Sequence, residues 1–254
     1  MSGSFNSGNW PPVTKNLIII NLIIWLVEFL FPQFGQNGIV ARLGLHYVEA
    51  DLFNPAQLLT YMFVHDPRNI MHVFFNMFTL WMFGRMLEHV WGSKRFLLFY
   101  MVCGVGGAVL QEIIWAFTWE HDYIAGIAAQ NLVTYDHMKQ IVGQWEASGS
   151  TELQAAIADF QNRLVVIGAS GAIYGILLGF AFVFPNMPLY LFFIPVPIKA
   201  KYMVIGYAVL EFFFGVSGRM DSVAHFAHLG GMLFGLILLF YWKKKGLLRG
   251  GGFY

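Results

Sequence analysis

The sequence predicts an all-α, polytopic membrane protein built as a bundle of six transmembrane helices, and three observations predict it. Of 254 residues, 57% are hydrophobic and only 11% charged, against about 25% charged in soluble domains. Six separate stretches are apolar enough to cross a bilayer, each approaching the roughly 20 residues a spanning helix needs. Lys and Arg divide unevenly between alternate connections, as the positive-inside rule requires of a multi-pass chain.

The first stretch, about Leu17–Pro32, follows a short polar tail (residues 1–16) with no small-residue cleavage pattern, so it is read as a span and not a cleavable signal. Residues 34–69 are long and semi-apolar (Leu43, Leu45, Leu52, Phe53, Met62, Phe63), which suits a segment lying in the interface. Two further spans are expected at about Ile70–Val90 and Phe96–Phe117. Residues 118–164 form an extended insert that reads as two short amphipathic helices split by Ala147-Ser148-Gly149-Ser150. The second of these places Leu153, Ile157, Phe160 and Leu164 on one face, with Thr151 and Gln154 at capping-box spacing. Three more spans follow at about Val165–Pro185, Tyr202–Gly215 and Ala224–Trp242, the fifth starting as early as Ile198. The membrane domain thus covers residues 17–242, with a basic tail at 243–254 and no separate soluble domain.

Six spans put both termini on one side. If that side is cytoplasmic, it holds ten of the fifteen Lys and Arg, including Lys243-Lys244-Lys245, and the opposite side holds five along with most of the acids. The expected location is therefore a multi-pass integral membrane protein with cytoplasmic termini, in the inner membrane of a bacterium. A net charge of +1 gives no footprint for nucleic acid. Cys103 is the single cysteine, which excludes intramolecular disulfides and cysteine-based metal sites.

Polar side chains within spans are costly and mark function by default. Three clusters qualify. His72 and Asn76 lie one turn apart and face the same way on the second span. Gly168-Ala169-Ser170-Gly171 opens the fourth span, and His225-Phe226-Ala227-His228-Leu229-Gly230-Gly231 opens the sixth. All three sit toward the non-cytoplasmic ends of their helices, so they can meet at one depth. Gly171, Gly175 and Gly179 repeat every four residues, as do Gly231 and Gly235. Small residues at that spacing let helix backbones approach closely in lipid. Packed along these stripes, Ser170 and His228 come within hydrogen-bond reach, and a neutral imidazole can take the serine proton as it attacks a carbonyl. The amide of Asn76, an imidazole N–H of His72 and the backbone N–H of Ser170 are candidate oxyanion donors. No carboxylate has an obvious claim as a third member, Asp221 lying about two turns before His228 in an expected loop. The site is read as a Ser–His dyad.

At these residues the sequence resembles the rhomboid family of intramembrane serine proteases, through His72-x-x-x-Asn76, Gly168-x-Ser170-Gly171 and Ala227-His228-x-x-Gly231-x-x-x-Gly235. Tyr174 stands where rhomboids place an aromatic that packs on the catalytic histidine, and Glu88-x-x-x-Gly92-Ser93 resembles a structural turn after the second span. The resemblance implies a six-helix rhomboid-like bundle, a catalytic Ser170 and His228, and an oxyanion hole lined by His72 and Asn76. It implies that residues 34–69 are a membrane-embedded first loop in which His65 helps retain water. It implies transmembrane protein substrates with small residues at the cut and helix breakers below it, surrounding lipid as the other partner, and no cofactor. The insert at 118–164 is longer than the family's usual third loop.

Other constellations have weaker claims. His225 and His228 at i, i+3 lack the H-E-x-x-H pattern of metalloproteases, so no metal is expected, and His225 is read as a supporting donor or a water-facing group at the mouth of the site. Tyr135-Asp136 has no intramembrane aspartate partner. Glu28, Glu112 and Glu211, scattered and without cations at helical spacing, are assigned to hydrogen bonding between helices or to snorkelling, and Arg85 with Glu88 to a structural pair. The alternatives are a catalytically silent rhomboid-like protein that binds transmembrane segments, against which both Ser170 and His228 argue, and a small-solute transporter, weakened because the sequence lacks inverted repeats with interrupted helices.

Overall fold

A computed structural model describes residues 10–31, 38–190, 196–217 and 224–248. Eight principal helices appear among them: α1 (Pro12–Leu30), α2 (Ile70–Trp91), α3 (Ser93–Gln130), α4 (Tyr135–Ala147), α5 (Thr151–Arg163), α6 (Ser170–Val183), α7 (Ala200–Ser217) and α8 (His225–Lys244). Five are long and apolar enough to cross a membrane: α1, α2, α3, α7 and α8. The fourth expected span is the exception. Helix α6 has 14 residues, about 21 Å of helix, too short alone for a hydrocarbon core about 30 Å thick. The span expected from Val165 starts five residues late because Val165–Val166 pairs antiparallel with Leu45–His46 of the first loop. That pairing, and the Gly168 N–H donating to the Tyr61 carbonyl at 3.0 Å, keeps the chain out of the helix until Ser170, its first residue.

The outer surface explains the composition. Ile19, Ile23 and Phe29 of α1, Ile205, Val209 and Phe212 of α7, and Ile237 and Phe240 of α8 are all exposed. Apolar faces of this extent have lipid as their natural covering. Inside, Phe96, Phe99, Tyr100, Leu80, Leu87, Ile176 and Phe180 form one core. Helix α2 passes through a π-helical stretch at Leu80–Gly84. Glu88, read from sequence as a partner of Arg85, instead accepts hydrogen bonds from Thr14 N–H and Oγ (both 2.7 Å), Val13 N–H (3.0 Å) and Ser93 Oγ (2.7 Å). Its carboxylate satisfies the open amides of the first turn of α1 and so ties α1 to the junction of α2 and α3. Arg85 lies over the Trp81 ring, 4.4 Å from its centre.

Helix α3 runs thirteen residues past the expected end of its span, to about 57 Å in all. Its distal end joins α4 and α5 in a small bundle with its own core of Tyr123, Ile124, Ala128, Met138, Val142 and Leu153, with Ile157 and Phe160 against it. The insert is therefore more self-contained than expected. The cap of α5 is Ser150, whose hydroxyl accepts from Leu153 N–H at 3.2 Å, one residue before the expected Thr151.

Candidate active site

Ser170 opens α6 and His228 lies in the first turn of α8. His228 Nε2 is 2.7 Å from Ser170 Oγ. The Tyr174 ring, one turn further along α6, stacks on His228 with centroids 4.2 Å apart and planes 7° apart. That stacking fixes the tilt of the imidazole, leaving rotation within its plane to be set by hydrogen bonds.

The close approach of the two helices is a property of their glycines. A Cβ on Gly231 would stand 1.9 Å from the Gly171 carbonyl oxygen, and one on Gly171 would stand 3.2 Å from the Ala227 carbonyl oxygen. Lower in the bundle α3 enters the seam. Cβ atoms on Gly175 and Gly235 would fall 2.3 and 3.0 Å from Cys103 Sγ, while one on Gly179 would meet Trp91 and Phe99. The two glycine stripes thus touch each other directly at the site and clasp Cys103 below it.

His72 and Asn76 arrive from α2, whose first turn is capped by the Asn69 side chain accepting from His72 N–H. Gly168 makes room for the His72 ring. Its φ of +123° lies where L side chains rarely go, and a Cβ there would sit 2.8 Å from His72 Nε2 and 3.7 Å from Ser170 Oγ. Asn76 is buried, and its Nδ2 has no hydrogen-bond partner among the described residues. A buried amide donor without an acceptor is costly. His65 backs this wall: its Nε2 accepts from Ala169 N–H at 3.5 Å, and its ring centre is 5.0 Å from that of His72. Burial, reinforced by neighbouring His72, pushes the His65 pKa down to about 3, so the ring stays neutral.

The dyad read from sequence has a carboxylate beside it. Glu211 of α7 places Oε2 2.6 Å from His225 Nδ1 and 3.0 Å from His228 Nδ1, while Oε1 accepts the Tyr174 hydroxyl. The His225 contact is a directed hydrogen bond. The His228 contact has ion-pair distance, but its N–H direction is off line, and Nδ1 makes no directed hydrogen bond among the described residues. Asp221, the acid nearest His228 among those weighed in sequence, lies outside the described residues. Ligand atoms of Glu211, His225 and His228 all fall within 4.8 Å of one another, a grouping the H-E-x-x-H test did not reach. Both Glu211 oxygens already face N–H or O–H groups, and His228 Nε2 points at the serine, so a hydrogen-bonded cluster accounts for the arrangement.

A family model described as a Rhomboid domain matches residues 53–245. The chain belongs to the rhomboid family. Among its relatives, RHOMBOID-like protein 12, mitochondrial, of Arabidopsis thaliana is 28% identical over 225 residues, covering 86% of this chain and 55% of that one. Rhomboid protein 1, mitochondrial, of Saccharomyces cerevisiae is 27% identical over 173 residues, covering 68% of this chain and 38% of that one. The chain thus spans about half the length, or less, of these curated relatives. Both are named as mitochondrial, which lends no support to the bacterial inner membrane expected from sequence; an integral membrane protein of rhomboid fold is what the apolar helices and the family match establish.

Within this rhomboid domain the residues singled out from sequence fall into two groups. Ser170, His228, Tyr174, Gly168, Gly171 and Gly231 surround one point, with His72 against Gly168 and Asn76 one turn below it. Gly175, Gly179 and Gly235 lie deeper, where they admit Cys103, Trp91 and Phe99. His225 is buried and faces Glu211, so the water-facing alternative for it falls away. Glu211 makes the hydrogen bonds between helices expected as one of its two roles, but its place beside His228 was not read from the sequence. Its signal was present as an acid between Leu210 and Phe212 in an apolar span, but its partners sit on other helices, where helical spacing cannot find them. Among the described residues Glu112 bonds to the first loop and not to a neighbouring helix, accepting from Val48 N–H at 2.9 Å.

Proposed function

We propose that this rhomboid is an intramembrane serine endopeptidase that hydrolyses peptide bonds in or near transmembrane segments of membrane-protein substrates. The observation that carries it is the 2.7 Å contact between Ser170 Oγ and His228 Nε2, made at a buried imidazole on a scaffold of touching glycines. The serine hydroxyl donates to Nε2, and as Oγ attacks the substrate carbonyl the proton passes to His228. Asn76 Nδ2, the His72 ring and the Ser170 backbone N–H take the oxyanion; the last is open because the first amides of a helix have no intrahelical acceptor. The unpaired Asn76 amide fits this role, since a donor aimed at charge that exists only in the transition state is empty in the resting protein. Collapse of the intermediate moves the proton from His228 to the leaving amine, and water then hydrolyses the acyl-enzyme. Substrate segments must unwind locally, because a helical carbonyl is already hydrogen-bonded and sterically closed. The Lys and Arg asymmetry supports cytoplasmic termini and a site toward the opposite face.

The test is labelling of the protein in proteoliposomes by a fluorophosphonate, with cleavage of a model transmembrane substrate in parallel. Labelling at Ser170 and cleavage, both lost in Ser170→Ala, are expected. Wild-type protein that captures the substrate segment but neither cuts it nor labels would assign it to the catalytically silent, segment-binding class. Asn76→Ala should lower kcat by about 10- to 1000-fold with little change in KM, because the lost donor acts on the transition state; an unchanged kcat removes Asn76 from the oxyanion hole.

A further inference from the structure

The proposed mechanism leaves Glu211 without a task, yet its placement is difficult to explain as packing. It lies on α7 among lipid-facing neighbours, Val209, Leu210, Phe212 and Phe213 being exposed, while its own side chain is only 10% exposed and turned into the bundle. Burying a carboxylate is costly unless hydrogen bonds satisfy it. Here three groups from two other helices converge on it: Tyr174 from α6 on one oxygen, and His225 and His228 from α8 on the other. Two of these, Tyr174 and His228, themselves stack on each other beside Ser170.

We propose that Glu211 is a positioning residue for His228, making the site a Ser170–His228–Glu211 triad in which His225 and Tyr174 hold the carboxylate in place. An imidazole with one proton has two tautomers, and Ser170 can be activated by only one of them. With an anionic oxygen 3.0 Å from Nδ1, the proton resides on Nδ1 and the Nε2 lone pair is left for the serine. When His228 takes the serine proton, the cation that forms lies beside a carboxylate, and no substrate binding is needed to put it there. The two donors that hold Glu211 explain its off-line approach to His228: His225 takes the better-directed contact at 2.6 Å, and a small in-plane turn of His228 aligns the third. The other titratable groups near His228 are Tyr207 on α7, whose ring is 6.4 Å from Tyr174, and His72 from α2, backed by neutral His65. None of these offers an anion, so Glu211 is the negative partner among the described groups around this ring.

The proposal rests on the protease reading, and its test separates the two. Glu211→Gln keeps size and polarity and removes the charge; its amide N–H can also donate to Nδ1 and favour the other tautomer. In proteoliposomes it is expected to lower kcat by about 10²- to 10⁴-fold with KM within about twofold, and to slow fluorophosphonate labelling of Ser170 in proportion. Tyr174→Phe, which keeps the stacked ring and removes one support of the carboxylate, should lower kcat by about tenfold. The discriminating readout is the ¹⁵N spectrum of histidine-labelled, substrate-free protein. His228 should carry its proton on Nδ1 in the wild type and shift toward the Nε2–H form in Glu211→Gln. Because that spectrum needs no substrate, it answers even if the wild type proves silent, which would sink the protease reading alone. A kcat within threefold of wild type, or a loss of kcat with an unchanged His228 tautomer, overturns the triad.

Discussion

Alanine at both Ser170 and His228 is expected to cost no more turnover than alanine at either one. Each single substitution should lower kcat on the order of 10⁴- to 10⁶-fold, and the double variant should sit on the same floor. The reason is that the 2.7 Å contact makes one functional unit of two side chains. A hydroxyl without its base attacks poorly, and a base without its hydroxyl has nothing to activate. Residual catalysis, from positioning and from the Asn76 and Ser170 amide donors, does not depend on either and survives both changes. Single-turnover cleavage of a model transmembrane substrate in proteoliposomes measures this. Independent roles for the two residues would instead give multiplied losses in the double variant, and a Ser170→Ala protein that cuts at the wild-type rate would place the nucleophile elsewhere. The comparison is clean because neither side chain supports the helix seam itself, which is built from Gly171, Gly231 and the Cys103 clasp.

How much of this was legible beforehand follows from which forces act locally. The bilayer imposes a length and a composition on each span, so α2, α7 and α8 could be placed from hydropathy within two residues at either end, while α1 starts five residues earlier than expected. The start of α6 could not, because the strand pairing that delays it joins Leu45–His46 to Val165–Val166 across more than a hundred residues. The end of α3 was missed for a different reason. Glu120, His121 and Asp122 mark exit from lipid, and a helix that leaves the membrane need not stop; Tyr123, Ile124 and Ala128 continue its period on a face that α4 and α5 cover. Ser170, His228, His72 and Asn76 were readable because polar residues in apolar helices stand out singly. Arg85 was misassigned, and the place of Glu211 beside His228 went unread, through the habit of seeking partners at i, i+3 or i, i+4. Trp81 does lie at that spacing from Arg85 but offers a π face in place of a charge, and Glu211 meets its partners only through the packing of α7 against α6 and α8.

That packing sets up the other large effect, in which one methyl group is expected to separate the two helices that carry the site. Gly231→Ala puts a carbon 1.9 Å from the Gly171 carbonyl oxygen, and the obstacle is backbone, which cannot rotate aside as a side chain can. The helices must move apart, losing close contact over the whole seam, in a solvent where packing of this kind and not hydrophobic burial holds helices together. A destabilisation of about 3 kcal/mol or more is expected, at or beyond the upper end for overpacked cores, read as a lower unfolding midpoint in detergent. Gly206→Ala is the matched control: it lies in α7, meets nothing within 4 Å, and should leave stability unchanged or raise it by up to about 1 kcal/mol through helix propensity. Turnover should fall further in Gly231→Ala than the folded fraction does. Gly171 follows Ser170 directly and Gly231 lies one turn after His228, so separation of the glycines lengthens the serine–imidazole contact by a similar amount, and a displacement of about 1 Å can cost on the order of 100-fold in rate. A Gly231→Ala protein as stable and as fast as Gly206→Ala would mean that the seam yields without moving the site, and that closeness of backbones is not what couples the alcohol to the imidazole.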